Sequence, residues 1–136
     1  MKVVLLENPL QHRLHDHSEP RSIWEHVKSW VEDYGGGESE LVRSFQEADS
    51  RLAQGGVDWL VIHHYRLKDV DNLRASYPDV KYAGASAMLL PKDLRHPGSF
   101  TEAFWNKLEG HYDFLLPDYG ESILRMMGVE DEFMDE

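Results

Sequence analysis

The stretch Met1-Lys-Val-Val-Leu-Leu-Glu-Asn-Pro9 decides the fold. Four apolar residues, Val3 to Leu6, run without interruption and then give way to a polar pair, Glu7 and Asn8. A short continuous apolar run reads as a strand buried on both faces. Such a strand, delivering polar groups at its carboxyl end, is how open α/β sheets build their sites. A second run, Asp58-Trp-Leu-Val-Ile-His63-His64, ends in the same way. Two such endings point to one site at one edge of a parallel sheet.

Outward from these two strands the chain alternates between strand and helix patterns. Arg21–Tyr34 reads as an amphipathic helix, with Ile23, Trp24, Val27, Trp30, Val31 and Tyr34 on one face, ended by Gly35-Gly-Gly37. Glu40–Ser44 reads as a short strand. Phe45–Gln54 reads as a helix stopped by Gly55-Gly56. After the strand Trp59–Ile62 come a helix over Lys68–Ser76, a Pro78-Asp79 turn and a fourth strand over Val80–Ser86. Ser99-Phe-Thr-Glu102 is a capping box that opens a helix to Leu108. Tyr112–Leu116 is the fifth strand and Glu121–Met127 the last helix. Residues 1–128 form one domain by this reading, and the acidic stretch 129–136 is a frayed tail.

Five strands alternating with helices imply an α/β fold: a three-layer αβα sandwich around a parallel sheet. Right-handed crossovers favour the flavodoxin-like strand order 2-1-3-4-5. Strands 1 and 3 are then neighbours at the switch point. Glu7, Asn8, His63 and His64 converge there, joined by Ser86 after strand 4 and Asp118 after strand 5.

Composition bounds the partners. With 136 residues, 41% of them hydrophobic and 29% charged, the chain has enough for an ordinary core. Its formal charge of −11 argues against nucleic-acid binding by a broad electrostatic footprint. It has no cysteine, which removes disulfides, thiolate metal sites and a cysteine nucleophile. No apolar run approaches the length that spans a bilayer, and the four-residue apolar start is too short for a signal peptide. A cytoplasmic location is the expectation. There is no Gly-rich phosphate loop, since Gly35-Gly-Gly37 follows a helix rather than preceding one, and no GxSxG elbow is present.

The chain resembles the receiver domain of bacterial response regulators over nearly its whole length. The resemblance rests on element order and on four stretches. Lys2 to Asn8 is similar to the first strand and acidic pair. Ser44-Phe-Gln-Glu-Ala-Asp49, with Gly55 to His63, is similar to the second helix and third strand. Tyr77-Pro-Asp-Val-Lys-Tyr-Ala-Gly-Ala-Ser86-Ala87 is similar to the fourth strand and its terminal Ser/Thr-Ala. Gly110-His-Tyr-Asp-Phe-Leu-Leu-Pro117 is similar to the fifth strand. Carried over, the resemblance implies a pocket of Glu7, Asn8, His63 and Ser86. The departures are specific. The phosphoacceptor carboxylate of a working receiver stands where this chain has His63. The acidic pair that holds magnesium is Glu7 and Asn8 here, with one carboxylate. The lysine before the proline is replaced by Leu115 and Leu116. The stretch Pro9–Pro20 is an insertion. The implied molecule is a degenerate receiver, a signalling or protein-interaction domain with no catalysis, that docks a protein partner or a second copy of itself through its fourth helix, fifth strand and last helix.

The histidines offer another chemistry. His12, His15 and His17, with Asp16 between them, lie in the loop that leaves the first strand. Together with His63 and Glu7 they supply the donors that zinc, nickel or iron takes. The alternative function is therefore a metal-dependent hydrolase or metal-binding protein using this loop and the pair His63/His64. A solvated histidine loop is the plainer reading of the same residues. No other cofactor is expected, and His26, His96 and His111 have no partner cluster in the sequence. Aromatic residues crowd the fourth helix: Phe104 and Leu108 suit its sheet side, while Phe100 and Trp105 are the interface candidates.

Overall fold

A computed structural model describes residues 1–7, 23–63, 67–85, 96–117 and 120–129, with the side chains of Ile23 and Trp24 excepted. The elements follow in strict alternation. They are β1 (Lys2–Glu7), α1 (Ile23–Ser29), β2 (Glu38–Val42), α2 (Phe45–Ala53) and β3 (Trp59–His63). Then come α3 (Leu67–Ser76), β4 (Lys81–Ala85), α4 (Phe100–Glu109), β5 (Phe114–Leu116) and α5 (Glu121–Met127). All strand pairs are parallel, and the sheet order is β2-β1-β3-β4-β5, as the alternation of patterns predicts.

The sheet separates two apolar layers by side-chain parity. Val4, Leu6, Leu60, Ile62, Tyr82 and Leu115 face α2, α3 and α4, where Ala48, Leu52, Val70 and Leu73 are buried. Val3, Leu5, Trp59, Val61, Ala83, Ala85 and Leu116 face α1 and α5, against Val27, Val31, Ile123, Met126 and Met127. Val3 to Leu6 are wholly buried, as a central strand covered on both faces must be. Each such side chain contributes about 1.5–3 kcal/mol relative to exposure. No helix among the described residues is long and apolar enough to cross a membrane.

The element bounds shift from the sequence expectation for local reasons. β2 starts at Glu38, whose N–H donates to the Met1 carbonyl (2.8 Å). It ends before Ser44, which caps α2 instead. Two helices open on the same motif, Ser-Phe-x-Glu. The Ser44 hydroxyl accepts from the Glu47 N–H (3.1 Å), and the Glu47 carboxylate accepts from the Arg43 N–H (2.7 Å). The Ser99 hydroxyl accepts from the Glu102 N–H (3.2 Å), and the Glu102 carboxylate accepts from the Gly98 N–H (3.1 Å). Each glutamate thus reaches one residue beyond the N-cap, a shifted capping box that satisfies two otherwise orphaned donors.

α1 does not continue as an α-helix to Tyr34. Its last turn, Trp30–Tyr34, widens to π geometry, with the Gly35 N–H donating to the Trp30 carbonyl (2.9 Å). Gly35 sits tightly there: a Cβ would lie 2.9 Å from the Val31 carbonyl oxygen and 2.8 Å from the end of the Met127 side chain of α5. β5 begins at Phe114 rather than Tyr112. The Asp113 carboxylate accepts the Tyr82 N–H (2.8 Å), taking a position that ladder pairing would otherwise fill. Tyr112 instead lays its ring on β4, where a Cβ at Gly84 would meet it at 2.9 Å. α5 closes on the left-handed Gly128, and the Val129 N–H donates to the Leu124 carbonyl (2.9 Å).

Candidate functional site

Glu7 and His63 lie at the carboxyl edge of the sheet. Glu7 and His63 are direct register partners across β1 and β3, and His63 is in turn opposite Ala85 of β4. Ala85 is opposite Leu116. The last row of the sheet therefore reads Glu7, His63, Ala85, Leu116. Parity places all four on the side covered by α1 and α5, above Leu5 and Val61. The two polar members are buried: 4% of Glu7 and 7% of His63 is exposed. A carboxylate and an imidazole on neighbouring strands, walled by Ala85 and Leu116, can exchange a proton, hold a donor or contribute two ligands to an ion.

Of the residues expected at this edge, Glu7 and His63 are brought together. Asn8, His64, Ser86 and Asp118 lie outside the described residues, as do His12, His15 and His17. Among the described residues no group of three or more His, Cys, Asp or Glu side chains is arranged to hold a metal ion. The candidate lysine positions before Pro117 are apolar and buried: Leu115 faces the α2–α3–α4 layer and Leu116 the other.

The interface candidates divide. Phe100 is 67% exposed at the start of α4, with its ring stacked on Phe104 (centroids 6.2 Å apart, planes 16°). Trp105 is half-buried and packs against the core of its own sheet face. Beside it, between α4, β5 and α5, lies a groove of about 360 Å³ lined by Trp105, Tyr112, Phe114, Pro117 and Arg125, with Glu109 at its rim.

One cluster escaped the sequence. His111 has a partner after all: its Nδ1 lies 2.8 Å from the Asp71 carboxylate. Arg74, one turn along α3 from Asp71, donates to the His111 carbonyl (2.7 Å) and pairs with Asp113 (3.4 Å). Forty residues separate His111 from Asp71, and no local pattern links them. Burial pushes the Tyr82 hydroxyl beneath this cluster up to about 12, and likewise that of Tyr112.

No protein-family model matches the sequence, and no curated protein matches it. Solved structures do match. A response regulator from Thermotoga maritima superposes with a TM-score of 0.63 at 20% identity, covering 94% of this chain and 95% of that one. The fold is that of a response-regulator receiver domain. An orphan response regulator of H. pylori gives a TM-score of 0.59 at 12% identity, with 96% and 97% covered. An atypical orphan response regulator, described as having a phosphorylation-independent regulatory mechanism, gives 0.57 at 13% identity, with 94% and 90% covered. The likeness in fold thus extends over nearly the whole chain.

Proposed function

We propose that this chain is a cytoplasmic receiver-type signalling and protein-interaction domain that is not switched by aspartyl phosphorylation. One observation carries the reading: β3 ends on the imidazole of His63, where a working receiver presents the acceptor carboxylate. An acyl phosphate needs a carboxylate oxygen, and an imidazole has none. Two further features support it. The end of β5 supplies buried leucines in place of a cation. Magnesium, the ion a working receiver uses, takes oxygen ligands, and the donors described at this edge are one carboxylate and one imidazole. Of these two, only the Glu7 carboxylate is an oxygen ligand of the kind magnesium takes. The atypical regulator among the similar structures lends the reading a precedent in kind.

The face made by α4, β5 and α5 is the surface for output, with Phe100 exposed and the groove beside Trp105 open. It docks a protein partner, a second copy of the chain being the simplest. Incubation with acetyl phosphate and magnesium, followed by intact-mass measurement, tests the proposal. The mass should stay unchanged; a stoichiometric, acid-stable and base-labile adduct would overturn it.

A second reading, a metal-binding protein or metal-dependent hydrolase, is favoured by the adjacency of Glu7 and His63 at the edge where the histidine-bearing loop begins. It needs imidazoles from His12, His15 or His17 to complete a transition-metal set.

A further inference from the structure

We propose that α3 sets the position of α4 through a polar clamp, in which Arg74 is the positioning residue for the face α4 presents. α3 is fixed to the sheet. Val70 and Leu73 are buried in the core, and the Tyr82 hydroxyl of β4 donates to the Leu73 and Tyr77 carbonyls (3.0 and 2.8 Å) at the end of α3. α4 is held more loosely, since none of its side chains is fully buried. Phe104, Trp105 and Leu108 only half-enter the core.

Beyond these apolar contacts, polar bonds tie down the end of α4. The Arg74 guanidinium faces the carbonyls just past the last turn of α4, donating to His111 (2.7 Å) and approaching Gly110 (3.5 Å). A cation beside the carboxyl end of a helix complements its dipole. Here the cation comes from a different helix. Its other nitrogen reaches Asp113, whose carboxylate also accepts the Tyr82 N–H, so clamp and sheet share one anchor. The His111 ring closes the ring of contacts on Asp71 (2.8 Å). A cavity of about 310 Å³, bordered by Asp71, Arg74, Pro78, Val80, Tyr82 and Asp113, lies beside these bonds. The polar bonds of Arg74 and Asp113 thus border open space on one side. A helix held this way moves when the bonds are exchanged, without repacking of the core.

The inference depends on the proposed docking role only for what α4 presents; the clamp itself needs no partner. Hydrogen exchange on the free protein tests it. In Arg74→Gln, amides of residues 100–109 should exchange about tenfold faster, the order expected for losing bonds to a charged group. Amides of β1 and β3 should be unchanged. Arg74→Lys, which keeps the charge but loses the fork, should fall between the two. Asp71→Asn, a change at an exposed carboxylate, should loosen the same residues more weakly. Unchanged exchange in α4, or a uniform rise across sheet and helices, would overturn the clamp. If α4 responds as expected and no partner binds the intact face, the docking reading fails and the clamp stands.

Discussion

Glu7 and His63 stand Cα opposite Cα on neighbouring parallel strands, each less than a tenth exposed. The two polar side chains share one dry row with Ala85 and Leu116. A buried carboxylate is tolerated only where something nearby answers its charge or its hydrogen-bonding capacity. Register and burial thus set the two side chains beside one another in that row.

Glu7→Gln and His63→Gln should therefore be non-additive. A double-mutant cycle by urea unfolding should give a coupling of about 0.5–3 kcal/mol, the range for residues in contact. Strict additivity would show that the two act independently and that the row is only a coincidence of register.

The metal reading makes a separable prediction. Zinc or nickel should bind untagged protein at neutral pH and raise its melting temperature, because the ion binds the native state in preference to the unfolded chain. The gain should vanish in a His15→Ala/His63→Ala double variant and survive in His96→Ala. Affinity should fall as imidazoles protonate. Calorimetry without a heat of binding removes this reading and leaves the interaction domain untouched.

Trp105→Glu should weaken self-association by about tenfold or more, since it sets an unpaired charge into an apolar contact. Light scattering across a concentration series measures it. A monomer for both forms at the highest concentrations would sink the dimer, and the half-buried ring would then serve its own sheet alone.

Alkaline pH should unfold the protein through its buried phenols. Burial raises Tyr82 and Tyr112 from 10 to about 12. In the unfolded chain both would ionise near 10. The folded state therefore holds protons that the unfolded state has lost. Their contribution is intact below pH 10 and disappears as pH rises to 12. Stability by urea unfolding should fall over that window, and Tyr82→Phe should fall less steeply. Phenolate absorbance that titrates fully near pH 10 in still-folded protein would contradict this.

Much of the fold was legible because buried strands leave an unmistakable trace. Val3–Leu6 and Trp59–Ile62 are apolar without gaps, and parity then fixes which residue meets which helix layer. The pairing of Glu7 with His63 follows from strand order alone. Other features were illegible for equally physical reasons. Ser44 reads as a strand end by its neighbours, yet its hydroxyl caps α2. Tyr112 reads as strand by composition, yet Asp113 pre-empts the ladder. The contacts of Arg74 and His111 join segments whose sequence separation hides them.

The wide turn at the end of α1 has a consequence for how this chain tolerates changes of length. In Trp30–Tyr34 the closing bond spans five residues, from the Gly35 N–H to the Trp30 carbonyl, instead of four. One residue can leave that turn and the bond simply reverts to α spacing. The same deletion in β1 or β3 would turn every following side chain to the opposite face of the sheet. Relatives that differ in length by one residue should carry the difference here, inside a helix, and keep their strands in register.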